Sequence, residues 1–334
     1  MLKVLKQFTI TDFSIEPLGN GLINSTWLVH SDHKKFVLQK INTTVFTTPE
    51  NIAFNIDLLN TFLQKYHPTY LFIAPLKTTT GKTMVKEEDG YYRLFNFVPN
   101  SHTIDVVNTP QQAFEAAKQF ARFSKLLVQV DVGVLKNTLP NFHNLNLRLQ
   151  KFKAAIKNGN AKRIEESKEL IAYLIAQKSI ATIFENRKSG FKIRVTHHDT
   201  KISNVLFNVD ENGLCIIDLD TVMPGYFISD VGDMMRTYLS PVSEEESDFS
   251  KIEIRLNFYN AITEGYLTEM GEELTAKEKK SFHFAGRYMI YMQALRFLTD
   301  YLNDDVYYTC AYPTHNLVRA GNQATLLQKF NLIK

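Results

Sequence analysis

Cysteine is nearly absent: two residues, Cys215 and Cys310, in a chain of 334. Two thiols cannot build a disulfide framework or a cysteine-rich zinc site. Cys215 lies in an apolar run and reads as a buried thiol. Charge of one sign is also scarce. The formal net charge is +3 and no dense Lys/Arg run occurs, so the basic stripe expected of a nucleic-acid-binding protein is missing. No stretch reaches the roughly 20 apolar residues of a membrane span. The start, Met1 to Phe13, carries no apolar signal region. There is no internal repeat and no low-complexity segment. These absences predict a cytoplasmic protein that binds neither nucleic acid nor membrane. Oligomerisation beyond a monomer or a weak homodimer is not expected. What remains is ordinary globular composition, 44% hydrophobic and 22% charged. The length allows two lobes with separate cores.

The first hundred residues read mainly as strands. Ser25 to Val29 and Lys35 to Ile41 flank a polar turn. Leu71 to Pro75, Thr83 to Val85 and the aromatic-rich Tyr91 to Val98 add three more. Between them, Ile52, Ile56, Leu59 and Leu63 recur at helical spacing within 49–64. After Pro99 the texture becomes helical. Thr109 followed by Pro110 marks a helix start, and Ala113, Ala117, Phe120, Phe123 and Leu127 form its buried face. Residues 131–146 read as a loop, 147–157 and 161–186 as helices, 193–195 and 214–217 as short strands, and 251–330 as helical. The expectation is an α+β chain with a β-rich lobe over 1–98 and a helix-rich lobe over 99–334. A ligand would sit at their seam.

The residues that carry chemistry lie between Val195 and Asp220. Asp199 and Asn204 stand five positions apart on a polar loop between apolar strands, and Asp218 follows the next strand. This order matches the protein-kinase arrangement of a catalytic Asp, an Asn five residues on, and a later Asp that binds magnesium. Magnesium (Mg2+) prefers oxygen ligands and keeps several waters, so one amide oxygen and one carboxylate suffice beside ATP phosphates. A separate carboxylate, Asp199, accepts the proton of the attacking hydroxyl and aims that hydroxyl. Lys201 is placed to neutralise the transferring phosphate. The plain alternative for any one of these residues is a solvated loop acid; their joint order argues against it.

The N-terminal half holds a weaker signal. Gly19 and Gly21 lead to Asn24, Ser25 and Thr26 at the start of a strand, an arrangement like a glycine-rich phosphate loop without its third glycine. Lys40 ends the strand from Phe36 and is the candidate to point into the cleft toward the α- and β-phosphates. Glu50 is its candidate partner. A solvated strand-end lysine is the plain alternative.

The segments His197 to Asn204 and Ile217 to Asp220 resemble the aminoglycoside phosphotransferase and choline kinase superfamily. Within it, Gly19 to Thr26, Leu38 to Phe46, Ile217 to Asp233 and Arg296 to Leu302 look most like bacterial N-acetylhexosamine 1-kinases. The resemblance covers nearly the whole chain. It implies a bilobal protein-kinase-like fold with ATP between the lobes and adenine against the hinge at Leu94, Phe95, Asn96 and Phe97. It implies phosphoryl transfer to the anomeric hydroxyl of N-acetylglucosamine or N-acetylgalactosamine. By motif, Asp199 takes the base role, Asn204 and Asp218 hold magnesium, and Lys40 holds nucleotide phosphates. Asp220 is a candidate for a second magnesium. Asp233 and Arg236 look like supports of the loop, as does His197. For the acceptor the resemblance points to Arg296 and Tyr307, with His143 as a further candidate. The competing reading of Arg296 is an ion pair with Asp300, four residues on.

Other readings stay open at this level. A kinase of an aminoglycoside, choline, ethanolamine or methylthioribose would share the motif, and a cationic acceptor would want an acidic pocket. The acidic run Glu244 to Asp248 reads instead as a solvated loop. A nucleotide-binding pseudokinase would have lost a base or a magnesium ligand, and none is missing. A protein kinase is disfavoured because Met223 to Gly225 leaves no room for an activation loop.

Overall fold

A computed structural model describes residues 1–19 and 23–333. A short helix, α1 (Leu2–Lys6), precedes three strands, β1 (Ser14–Pro17), β2 (Ser25–Ser31) and β3 (Lys34–Ile41). Helix α2 (Pro49–Tyr66) follows, then β4 (Val85–Glu87) and β5 (Gly90–Asn96). The five strands form one antiparallel sheet in the order β1-β2-β3-β5-β4. Residues alternate between its faces. Leu38, Tyr92 and Leu94 join Val4 and Leu5 of α1 in a small outer cluster, whereas Ile41 and α2 belong to the main core.

The chain is then mainly helical: α3 (Pro110–Leu126), α4 (Leu145–Asn158), α5 (Ala161–Glu166), α6 (Lys168–Ala176) and α7 (Ser179–Arg187). Four short strands follow: β6 (Ile193–Thr196), β7 (Val205–Phe207), β8 (Gly213–Ile216) and β9 (Met223–Tyr226). They form two hydrogen-bonded pairs, β6 with β9 and β7 with β8. Helices α8 (Phe227–Tyr238), α9 (Leu256–Met270), α10 (Ala276–Lys279), α11 (Phe282–Leu302) and α12 (His315–Phe330) complete the fold.

The α+β expectation holds, with an antiparallel sheet first and helices after it. The cap at Thr109 forms as a full capping box with Gln112. All five residues assigned to the buried face of α3 are buried. Helix α11 is apolar nearly all round and correspondingly buried, with α4, α8 and α12 packed against it. The strand expected at Thr83 to Val85 lies instead at Val85–Glu87, and two expectations fail outright. Residues 71–75 join no ladder; Phe72 instead stacks on Phe123 in the core. The helix expected over 161–186 is three helices, broken at Ser167 and at 177–178. The Ser167 hydroxyl donates to the Arg163 carbonyl at 2.5 Å, a local bond that competes with the helical ladder.

Helix α2 is tied to the helical part through buried Asn55. Its amide donates to the carbonyls of Lys136 (2.8 Å) and Val222 (2.9 Å). Among the described residues no helix is long and apolar enough to cross a membrane.

Candidate active site

The loop from β6 to β7 is shaped from below by α8. Buried Asp230 accepts hydrogen bonds from the backbone N–H groups of His197 (3.1 Å) and His198 (2.7 Å). Asp233 accepts from Thr200 N–H (2.8 Å) and pairs with Arg236. These bonds hold His198 at φ 70, a left-handed conformation that a non-glycine residue adopts only under such restraint. Gly225 on β9 leaves room for the His198 ring: a Cβ there would lie 2.4 Å from His198 Cε1. His197 braces the loop as expected. Its Nδ1 accepts from Asp199 N–H at 3.3 Å and its Nε2 donates to the Ile217 carbonyl at 3.0 Å. Burial lowers its pKa, and the ring is neutral.

Asp199 projects from this braced loop. Asn204 Nδ2 donates to its Oδ2 at 3.1 Å and to its carbonyl at 2.8 Å, and Lys201 Nζ lies 3.4 Å from its Oδ1. Burial alone would raise the Asp199 pKa; the Lys201 ammonium foremost, then His197 and the Arg236 guanidinium and lastly the Asn204 hydrogen bond, outweigh it and hold the carboxylate below its ordinary value. Asp199 is therefore ionised across the neutral range, suited to orient a hydroxyl and receive its proton.

The β7–β8 ladder brings Asn204 beside Asp218. Val205 pairs with Ile216, and Ile217 N–H donates to the Asn204 carbonyl at 2.9 Å. Asp218 has φ 59 and its side chain is exposed. Desolvation by the surrounding protein, then the neighbouring Asp220 and Asp199 carboxylates, push its carboxyl up to about 7, against the opposing pull of the Arg93 and Lys201 cations. Among the described residues no three His, Cys, Asp or Glu side chains converge into an all-protein metal cage. An amide oxygen, one carboxylate, waters and phosphates are the ordinary ligand set of magnesium, and Asn204 and Asp218 fit it. A magnesium ion held there would have to displace the Asp218 proton. Apparent magnesium affinity is thus expected to fall as pH drops below 7, approaching about tenfold per unit, and to level off above 7. Magnesium titrations at pH 6 and pH 8 check this; equal affinities would remove Asp218 as a ligand.

The model of the phosphotransferase enzyme family matches residues 14–268, well over half of the chain. The chain belongs to this family. Among solved structures it is similar to a microcompartment-associated aminopropanol kinase, with 13% identity over 98% of this chain and 95% of that one (TM-score 0.68). It is similar to a spectinomycin phosphotransferase solved with ADP and spectinomycin, with 15% identity over 96% and 88% (TM-score 0.56). It is similar to an ethanolamine kinase of Plasmodium vivax, with 13% identity over 96% and 84% (TM-score 0.59). At such identities the likeness speaks for the fold, which is kinase-like.

In this phosphotransferase several expected nucleotide contacts fall elsewhere. Lys40 does not enter the cleft. It shares the outer face of β3 with Leu38 and bonds Asp89 Oδ2 at 2.8 Å, and Glu50 instead accepts from the Tyr91 hydroxyl at 2.7 Å. Period-two alternation makes Gln39 the inward residue. Leu94 likewise buries its side chain in the outer cluster, and its carbonyl accepts from Leu76 N–H. Phe95 faces inward with Arg93 over its ring; exposed Asn96 ends β5, and Phe97 N–H donates to the Lys35 carbonyl. Asp220 is not an open metal ligand. It is 1% exposed, pairs with Arg93 Nη1 at 2.5 Å and accepts from Asn24 Nδ2 at 2.7 Å. Asn24 thus ties two parts of the chain together, its Oδ1 also accepting from Asn42 N–H. Gly19 adopts φ 68, as a tight turn requires. Ser25 is exposed, and Thr26 Oγ1 accepts from Gln39. Gly21 lies outside the described residues.

The three acceptor candidates share one wall. His143 Nδ1 lies 3.2 Å from His198 Nδ1, one residue before Asp199. Phe142 stacks on His143 at 4.4 Å, and the Arg296 guanidinium lies 5.2 Å from the Phe142 ring and 5.9 Å from that of Tyr307. Burial pushes His198 down to about 4 and His143 well below its ordinary value, so both rings are neutral near pH 7. Arg296 does not pair with Asp300, which accepts from the backbone of Tyr307 and Tyr308 and from Asn316. Among the described residues the Arg296 guanidinium has Gln293 as its one hydrogen-bond partner, and the Phe142, Tyr307 and Tyr308 rings flank it. The acidic run is not a free loop either: Glu244 is clamped between Arg236 and Arg319, and Glu245 bonds His315.

Sequence reasoning missed Arg93, His198 and Arg148. Arg93 was readable from alternation along β5 once its inner face was known. Arg148 holds the 141–143 turn through two carbonyls, and no local pattern announces that.

Proposed function

We propose that this phosphotransferase moves the γ-phosphoryl of ATP to a hydroxyl of an uncharged small molecule, best an N-acetylhexosamine at its anomeric position. The observation that carries the reading is the Arg296 guanidinium, which has no carboxylate partner among the described residues, beside neutral His143 and His198, one residue from the ionised Asp199. A cationic acceptor would want carboxylates there. The wall has Arg296 and Arg148, and the nearby Glu244 is already neutralised by two arginines. An N-acetyl carbonyl and ring hydroxyls accept hydrogen bonds from a guanidinium, and the exposed Tyr307 ring offers an apolar surface to a sugar.

Asp199 orients the acceptor hydroxyl and takes its proton as the oxygen bonds to the γ-phosphorus; the bond to the ADP oxygen breaks and the electron pair leaves with ADP. Lys201, beside Asp199, balances charge on the transferred group. Magnesium, held through Asn204 and Asp218, would supply charge neutralisation of the phosphates.

The test is coupled ATP consumption with magnesium over N-acetylglucosamine, N-acetylgalactosamine, glucose, galactose, choline and kanamycin. Turnover confined to the N-acetylhexosamines is expected. Turnover only on choline or kanamycin would overturn the acceptor assignment and keep the catalytic one. Arg296→Met is expected to raise the acceptor KM by about tenfold to a hundredfold, the worth of a charge-assisted hydrogen bond, with the KM for ATP unchanged. An unchanged acceptor KM would remove Arg296 from the site.

A further inference from the structure

With Lys40 on the outer face, the sheet still presents a cation inward, from a different strand. Arg93 on β5 pairs in register with Gln39 on β3. Gln39 Oε1 accepts from Arg93 Nε at 3.1 Å and from Nη2 at 2.9 Å. The guanidinium lies 5.1 Å from the Phe95 ring. Its third nitrogen, Nη1, meets Asp220 Oδ1 at 2.5 Å, but neither atom makes an aligned hydrogen bond among the described residues. Arg93 is 1% exposed and is the only buried cation on the sheet among the described residues.

Nucleotide phosphates crossing the cleft need a positive group from the sheet. Lys40 bonds Asp89 on the far side and cannot supply it without turning through the sheet. Gln39 and Phe95 fix the plane of the Arg93 guanidinium, so little side-chain entropy is lost when Nη1 takes a new acceptor. We infer that Arg93, presented by β5 and oriented by Gln39, is the sheet's cation for nucleotide phosphates, and that Asp220 is its resting carboxylate partner. The inference rests on the reading that this cleft takes a nucleotide. It moves the phosphate contact from β3 to β5 and makes Asp220 the holder of an arginine.

Equilibrium binding of ADP and of adenosine to the full chain tests it, by calorimetry in EDTA so that the protein alone meets the phosphates. Arg93→Gln is expected to weaken ADP by about tenfold or more, as for a lost charge-assisted hydrogen bond, and to leave adenosine within about twofold. Lys40→Met should change neither. The Arg93→Gln/Asp220→Asn double variant removes both charges and avoids a buried unpaired carboxylate, so it serves if the single variant does not fold. Equal weakening of ADP and adenosine would show a merely structural role. ADP binding unchanged in Arg93→Gln, or lost in Lys40→Met, would overturn the inference. Wild-type chain that binds neither ligand would instead overturn the nucleotide reading beneath it.

Discussion

Asp199→Asn is expected to lower kcat by roughly a hundredfold to ten-thousandfold, the range for loss of a positioned general base, while thermal stability and the KM for ATP stay near wild type. The change is nearly isosteric. The amide oxygen that replaces the carboxylate can still accept from Asn204 Nδ2, which lies 3.1 Å from Asp199 Oδ2 in the unaltered chain. The braces of the loop do not involve the carboxylate: Asp230, Asp233 and the Asp199 backbone bond to His197 all remain. What disappears is the proton acceptor, together with the negative charge facing Lys201. Steady-state kinetics with a thermal melt separate these effects. A variant that keeps more than a tenth of wild-type kcat would show that the base has been misassigned.

Asp230→Ala is expected to cause the largest loss of stability. Two buried backbone N–H groups would lose their acceptor, at about 1–3 kcal/mol each. His198 would also lose part of what holds its left-handed backbone. The combined cost, roughly 2–6 kcal/mol on that principle, is comparable to the whole stability of an ordinary domain, about 5–15 kcal/mol. Little folded, active protein should remain at assay temperature. Asp230→Asn keeps one acceptor oxygen and should lose about half as much. Denaturant unfolding of both variants checks the ordering. An alanine variant as stable as wild type would mean that water replaces the carboxylate and that α8 does not shape the loop.

The segment proposed to be catalytic was legible as a unit because its residues are local. Asp199, Lys201 and Asn204 sit within one loop, and their mutual distances follow from six residues of backbone. The placement of Asp218 beside Asn204 was legible because the β7–β8 hairpin is short and its strands are apolar. Lys40 was misread because a strand sequence does not say which of its two faces is inward. A shift of one residue exchanges Lys40 for Gln39, and the face was decided by α1, whose Val4 and Leu5 cover the side carrying Leu38 and Leu94. Asp220 was misread as a metal ligand because its partner, Arg93, lies far away in sequence on another element. The same holds for Arg296: Asp300 stands one turn away, but the turn after α11 claims that carboxylate with the backbone N–H groups of Tyr307 and Tyr308.

The sequence by itself determined the α+β class, the order of strands and helices, the cap at Thr109 and the loop that carries Asp199 and Asn204. Each of these depends on periodicity or on residues a few positions apart, whose geometry the backbone dictates. Only the tertiary structure decided which face of β3 looks into the cleft, which carboxylates are free and which are paired, and that His143, Arg296 and Tyr307 share a wall. Those outcomes depend on competition among distant partners for the same charge or the same buried surface, and packing alone resolves that competition.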